Sequence, residues 1–134
     1  MMDGKRITIG RNITSEKIHK LFEGKNLLLP TQRKICLPII NRLYIKMING
    51  VRLPDIQVSN GMICDGHHRY IAACLAKIEI SQTPGVVAHP DITNWKSVTI
   101  DEEEWDTPAR IRMYLERDAR YNDMEYAKLA ELLT

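Results

Sequence analysis

Apolar positions recur with a helical period over most of this chain, and short strand-like runs interrupt them. The clearest stripe is Ile35, Ile39, Leu43 and Met47, flanked by Ile40, Tyr44 and Ile48, which predicts a helix along one apolar face. Pro38 lies inside this stripe, so the pattern predicts either two abutting helices, with Pro38 in the first turn of the second, or one kinked helix. Asn49-Gly50 supplies the stop. Upstream, residues 5–9 (Lys-Arg-Ile-Thr-Ile) read as a short strand. Thr14 or Ser15 then caps a helix that places Ile18, Leu21 and Phe22 on one face. Gly24 ends that helix, Leu27-Leu28-Leu29-Pro30 reads as a buried extended connection, and Thr31 as the cap of the next element.

After Gly50 the period changes. Pro54 to Val58 and Met62 to Cys64 are two short apolar runs joined through Ser59-Asn60-Gly61, a strong local signal for an antiparallel hairpin. Asp65-Gly66-His67-His68-Arg69-Tyr70 follows at once, and Ile71, Ala72, Cys74, Leu75 and Ala76 then form a helical apolar face. The polar cluster therefore sits where a strand becomes a helix. Thr83-Pro84-Gly85 punctuates the chain before Val86-Val87-Ala88, read as a buried strand, and Trp95 to Ile100 reads as another. Thr107-Pro108 is a cap with proline in the first helical turn. Two closing helices are expected, one with Ile111, Tyr114 and Leu115 on a face, the other with Met124, Ala127, Leu129 and Leu132.

Length and composition bound this pattern to one domain of 134 residues, 44% hydrophobic and 27% charged. A chain of that size buries roughly two thirds of its unfolded surface, enough for a core without disulfides or a structural metal. No apolar run approaches the ~20 residues of a membrane-spanning helix, so no membrane partner is expected. No secretory leader is legible, and Cys36, Cys64 and Cys74 read as reduced thiols, so the expected location is cytoplasmic. The net charge of +2 is far from that of a nucleic-acid coat, but it conceals an asymmetry. Residues 1–100 carry 14 Lys/Arg against 7 Asp/Glu (+7), and residues 101–134 carry 5 against 10 (−5). The run Asp101–Asp106 reads as a solvated approach to a helix or as a cover for the basic body.

Hydrophobic patterning does not require four polar or ionisable side chains around Gly66. At a helix start the free N–H groups and the positive dipole end favour an anion, and glycine lets a phosphate approach the backbone. Arg69 offers a planar pair of donors, and His67 and His68 offer further donors or proton transfer. Adjacent helical residues diverge by about 100°, so only one of the two histidines faces a given ligand atom. Asp65 is the candidate catalytic or metal-organising carboxylate, with a turn-forming role of equal weight. Read structurally, the same residues make a tight turn, a packed histidine and a surface ion pair. Zinc ligation by Cys64, His67, His68 and the distant His89 does not match the spacing of a structural zinc box.

The order strand, Asp65-Gly66, His67-His68-Arg69, small-residue helix resembles the ParB/sulfiredoxin-like superfamily. The likeness covers about residues 30–90, from the helix ending at Gly50 through the hairpin to Val86-Val87. It implies an α+β fold, a small mixed sheet with packed helices, as a single domain over 1–134 with an acidic helical extension over about 101–134. It further implies that Gly66, His67, His68 and Arg69 bind the phosphates of a nucleotide, ATP, ADP or CTP, and that Asp65, His67 and His68 serve phosphoryl transfer or nucleotide hydrolysis with Mg²⁺ at Asp65. The family's serine kinases use an acidic residue outside this motif, for which Glu23 is a speculative counterpart. His67 stands where sulfiredoxin-like enzymes carry their reactive cysteine, which argues against sulfinic acid reduction. The 44 residues after Pro90 leave little room for the DNA-reading and dimerising segments of partition proteins. A ParB-like nuclease or DNA-binding module with a nucleic-acid partner is the alternative, and a non-catalytic interaction protein on the same fold the second alternative. Oligomeric state is not legible.

Overall fold

Thr14 accepts a hydrogen bond from the Lys17 N–H and opens helix α1 (Ser15–Phe22), which buries Ile18 completely. The structure, a computed structural model, describes residues 13–87, 90 and 92–134; the strand expected over 5–9 lies outside these, as do Ala88 and His89. After α1 come β1 (Lys34–Cys36), α2 (Leu37–Ile48), β2 (Ile56–Ser59), β3 (Met62–Asp65) and α3 (His67–Ala76). The chain continues through β4 (Gln82–Pro84), a 3-10 turn (Trp95–Ser97), β5 (Thr99–Asp101), α4 (Pro108–Tyr121) and α5 (Tyr126–Leu132). The class is α+β, with a small mixed sheet and packed helices.

Two sheets frame the helices. β2 and β3 form the expected hairpin, with Asn60 and Gly61 at φ +52° and +76°, the left-handed pair that a two-residue turn requires. β4 adds to β2 in parallel, giving the order β3-β2-β4. On the free side of β3, the Leu29 N–H donates to Gly61 O and the Ile63 N–H to Leu29 O, so the 27–30 segment is extended against the sheet. The second sheet is the parallel pair β1–β5, with Ile35 opposite Ile100.

Four expectations change. Ile35 and Cys36 belong to β1, not to the helix, which begins at Leu37 with Pro38 in its first turn, where no backbone N–H is needed. Thr31 caps nothing: Cys36 precedes α2, and the Thr31 hydroxyl donates to Ile63 O instead. The strand expected at Val86–Ala88 is not formed at its described residues; Val86 is 87% exposed, and the strand lies at Gln82–Pro84, a polar run that pairing with β2 makes extended. Trp95 to Ile100 divides into the 3-10 turn and β5.

The main core brings together Ile18, Ile35, Ile40, Ile63, Ile71 and Leu129, all without solvent exposure. Burying each such side chain stabilises the fold by roughly 1.5–3 kcal/mol. Trp95 lies between Phe22 and Tyr70, stacked on both, and its Nε1–H donates to Leu28 O at 2.8 Å. α2 packs along α3. α4 and α5 join the same core through Leu115, Ala119 and Leu129, so the acidic extension is part of the folded unit.

Candidate functional site

Asp65 ends β3, Gly66 turns the chain at φ +100°, and α3 starts at His67 with no side-chain cap on its first turn. The free N–H groups and the positive end of the helix dipole thus lie at this turn. Glycine is demanded here by the fold itself. A Cβ on Gly66 would stand 2.5 Å from Ile56 Cγ2 and 2.9 Å from Arg69 Nη2. That face of the residue is filled by protein, so the close backbone approach expected for a phosphate is not what requires a glycine.

The two histidines diverge as the helical geometry predicts. His67 is buried, and its Nε2 accepts the Thr31 N–H at 2.9 Å; His68 Nε2 accepts the Cys36 N–H, also at 2.9 Å. A nitrogen that accepts carries no proton, so in both rings the proton resides on Nδ1. Burial pushes both rings from the ordinary 6.5 down to about 4, with only the Asp65 charge raising His67 and the His67, Arg42 and Arg69 charges lowering His68 further. Both are neutral near pH 7: they can donate from Nδ1, and they tie the 31–36 segment to the helix start. Tyr70 acts similarly, its hydroxyl accepting the Leu28 N–H at 2.8 Å while burial pushes it up to about 12.

Arg69 reaches back to the turn. Its Nη2 donates to Asp65 Oδ2 at 3.1 Å and its Nη1 to Pro54 O at 3.4 Å. The Asp65 side chain is 68% exposed, so the carboxylate is at once a partner for Arg69 and open to solvent. Mg²⁺ commonly takes one or two carboxylates together with the phosphates of its ligand. Asp65 fits such a shared site as a single carboxylate; among the described residues no group of three His, Cys, Asp or Glu is arranged to hold a metal by itself. Glu23 follows α1 and does not line the cleft described next, and His89 lies outside the described residues.

The Asp65–Arg69 turn floors a cleft of about 430 Å³. One wall is α2, with Ile39, Arg42, Leu43 and Lys46, and the other is α4, with Ile111, Tyr114 and Arg117. The cleft is therefore lined by four cations, Arg42, Lys46, Arg69 and Arg117, by the carboxylates Asp65 and Asp106, and by apolar side chains of both walls. Arg42, Lys46 and Arg117 lie 19 or more positions from the motif, which is why the motif does not announce them. One signal was present: Lys46 is a cation inside the most apolar stretch of the chain.

Each wall cation is held by a carboxylate. Lys46 Nζ donates to Asp118 Oδ2 at 2.7 Å with both groups buried, and Arg117 bonds the other oxygen of Asp118 at 2.9 Å while its guanidinium lies over the Tyr114 ring. Burial pulls Lys46 below its ordinary range, and the bond to Asp118 pulls it back. Arg42 takes both oxygens of Glu104 through Nη1 and Nη2, and Asp106 Oδ2 lies 3.3 Å from Nη2. That bond to Arg42 holds the Glu104 carboxyl below the usual range. Trp105, between the two acids, packs edge-on to His68 with ring centroids 5.4 Å apart. Cys36 Sγ donates to Glu103 O. Residues 101–106 thus lie against the basic body, as one reading of the sequence expected. All three cysteines are free, and burial raises Cys36 and Cys74, so both stay protonated thiols at neutral pH.

No family model, curated protein or solved structure matches the chain. Among the described residues no helix is long and apolar enough to cross a membrane.

Proposed function

We propose that the cleft binds the phosphate groups of a nucleoside di- or triphosphate, ATP, ADP or CTP, in the manner implied by the resemblance to ParB/sulfiredoxin-like proteins. The observation that carries this reading is the uncapped start of α3, opening at a cleft where Arg69, Arg42 and Arg117 converge. The apolar surface of Ile39, Leu43, Ile111 and Tyr114 gives a flat base a place beside those charges. Gly66, His67, His68 and Arg69 form the floor, the histidines as neutral Nδ1–H donors. Asp65 would hold Mg²⁺ together with the phosphates, and bound Mg²⁺ would draw off phosphate charge. A cytoplasmic location, where nucleotides abound and thiols stay reduced, accords with the three free cysteines.

Phosphoryl transfer or hydrolysis would need a base near neutrality. The histidine Nε2 atoms accept backbone N–H groups, so Asp65 is the remaining candidate, and a binding protein without turnover gains support from that commitment. A nuclease or DNA-binding module on the same cleft is the second reading.

A thermal-shift series with ATP, ADP, CTP and GTP plus Mg²⁺ tests the reading. At least one nucleotide should raise Tm, and Arg69→Ala should abolish the rise. No shift with any nucleotide, or equal shifts in both proteins, refutes it.

A further inference from the structure

Arg42 is the wall cation held by two carboxylates of the acidic segment, Glu104 and Asp106, the second of them 10% exposed. Lys46 and Asp118 are sealed together in the interior, whereas Arg42 meets Glu104 and Asp106 at the cleft itself, with the Glu104 side chain 35% exposed. Both acids come from one short stretch between β5 and α4. Ser15 Oγ donates to Glu102, Cys36 Sγ donates to Glu103 O, and Trp105 packs edge-on to His68 while its Nε1–H donates within the stretch to Asp101 Oδ2. Two carboxylates on one guanidinium present oxygens much as a diphosphate would, on the same planar donors.

We propose that Arg42 is a ligand-exchange residue: the Glu104–Asp106 segment is a built-in competitor that neutralises Arg42 in the empty cleft and is displaced by the ligand's phosphate oxygens. This rests on the phosphate-binding reading of the cleft, and it adds a binding residue outside the motif together with a regulation of the site. Anything that draws the acidic segment away, such as a basic partner surface, raises affinity by freeing Arg42. Anything that fixes the segment lowers it. The exchange is of ionic and hydrogen bonds only, with no covalent step.

The test is a titration of Mg-ATP and Mg-CTP at 0.15 M salt against four full-length proteins: wild type, E104Q/D106N, Arg42→Ala, and E102Q/E103Q. The last removes the same charge from the same segment without touching Arg42, and at this salt charges more than about 8 Å apart are largely screened. The double variant E104Q/D106N should bind about fivefold more tightly than wild type, the size expected for releasing a partly exposed ion pair. E102Q/E103Q should stay within about twofold, and Arg42→Ala should bind more weakly than wild type. Equal gains in both double variants overturn the exchange, because the effect is then general charge. So does unchanged or weaker binding in E104Q/D106N whose helical circular dichroism matches wild type, and the phosphate reading of the cleft survives either result. If no variant binds either nucleotide, the exchange and the phosphate reading fall together.

Discussion

His67 and His68 illustrate how a polar motif is committed by its neighbours. Two adjacent histidines beside a glycine suggest catalysis or anion binding, but the backbone N–H groups of Thr31 and Cys36 claim one nitrogen of each ring. That claim costs proton affinity, and it has a measurable consequence. Each ring titrates near 6.5 in the unfolded chain and at about 4 in the folded one, so the unfolded state binds more protons between those values. Stability is therefore complete above about pH 6.5 and is lost as the pH falls toward 4. Melting curves from pH 7.5 to 4.5 should show Tm dropping by several degrees, and His68→Asn should flatten part of the slope. Gly66 gives a second residue-scale prediction. Alanine must adopt φ +100° and meet Ile56 Cγ2 at 2.5 Å, so Gly66→Ala should lower stability by about 2–4 kcal/mol in urea denaturation.

At the scale of elements, the unresolved matter in the sequence was where distant segments meet. The hairpin was legible because Asn60-Gly61 is a local instruction, and α1 because Thr14 is a local cap. The boundary between β1 and α2 was not, because Ile35 and Cys36 are extended by pairing with Ile100 and Asp101, which lie 65 positions away. β4 is not legible for the same reason: Gln82-Thr83-Pro84 has no alternation, and its pairing with β2 makes it a strand. The motif side of the cleft was readable as contiguous residues, whereas its walls depend on α2 and α4 packing across it. The buried Lys46–Asp118 pair fixes those two helices to each other. Lys46→Met leaves the fully buried Asp118 with Arg117 as its remaining cation, so it should destabilise by about 1–3 kcal/mol, and the double replacement K46M/D118L should recover part of the loss. Chemical denaturation of the two variants checks this; equal losses in single and double variants contradict the pairing.

For the whole molecule, the near-neutral total of +2 resolves into an arrangement. The basic excess of residues 1–100 supplies Arg42, Lys46 and Arg69 to the cleft, and the acidic extension supplies both a wall, α4, and the carboxylates that hold Arg42 and Lys46. Binding an anion there requires competition with those carboxylates, so affinity should fall with added salt, as expected for a site made of ion pairs. The central claim is that phosphate groups sit at the start of α3. Backbone amide chemical-shift mapping with Mg-ATP and Mg-CTP tests it most directly. The account predicts the largest shifts at the N–H groups of His67, His68 and Arg69, with smaller ones at Arg42 and Arg117. Shifts confined to another surface, such as the smaller cleft beside Arg52 and Tyr121, or none at either nucleotide, would contradict it.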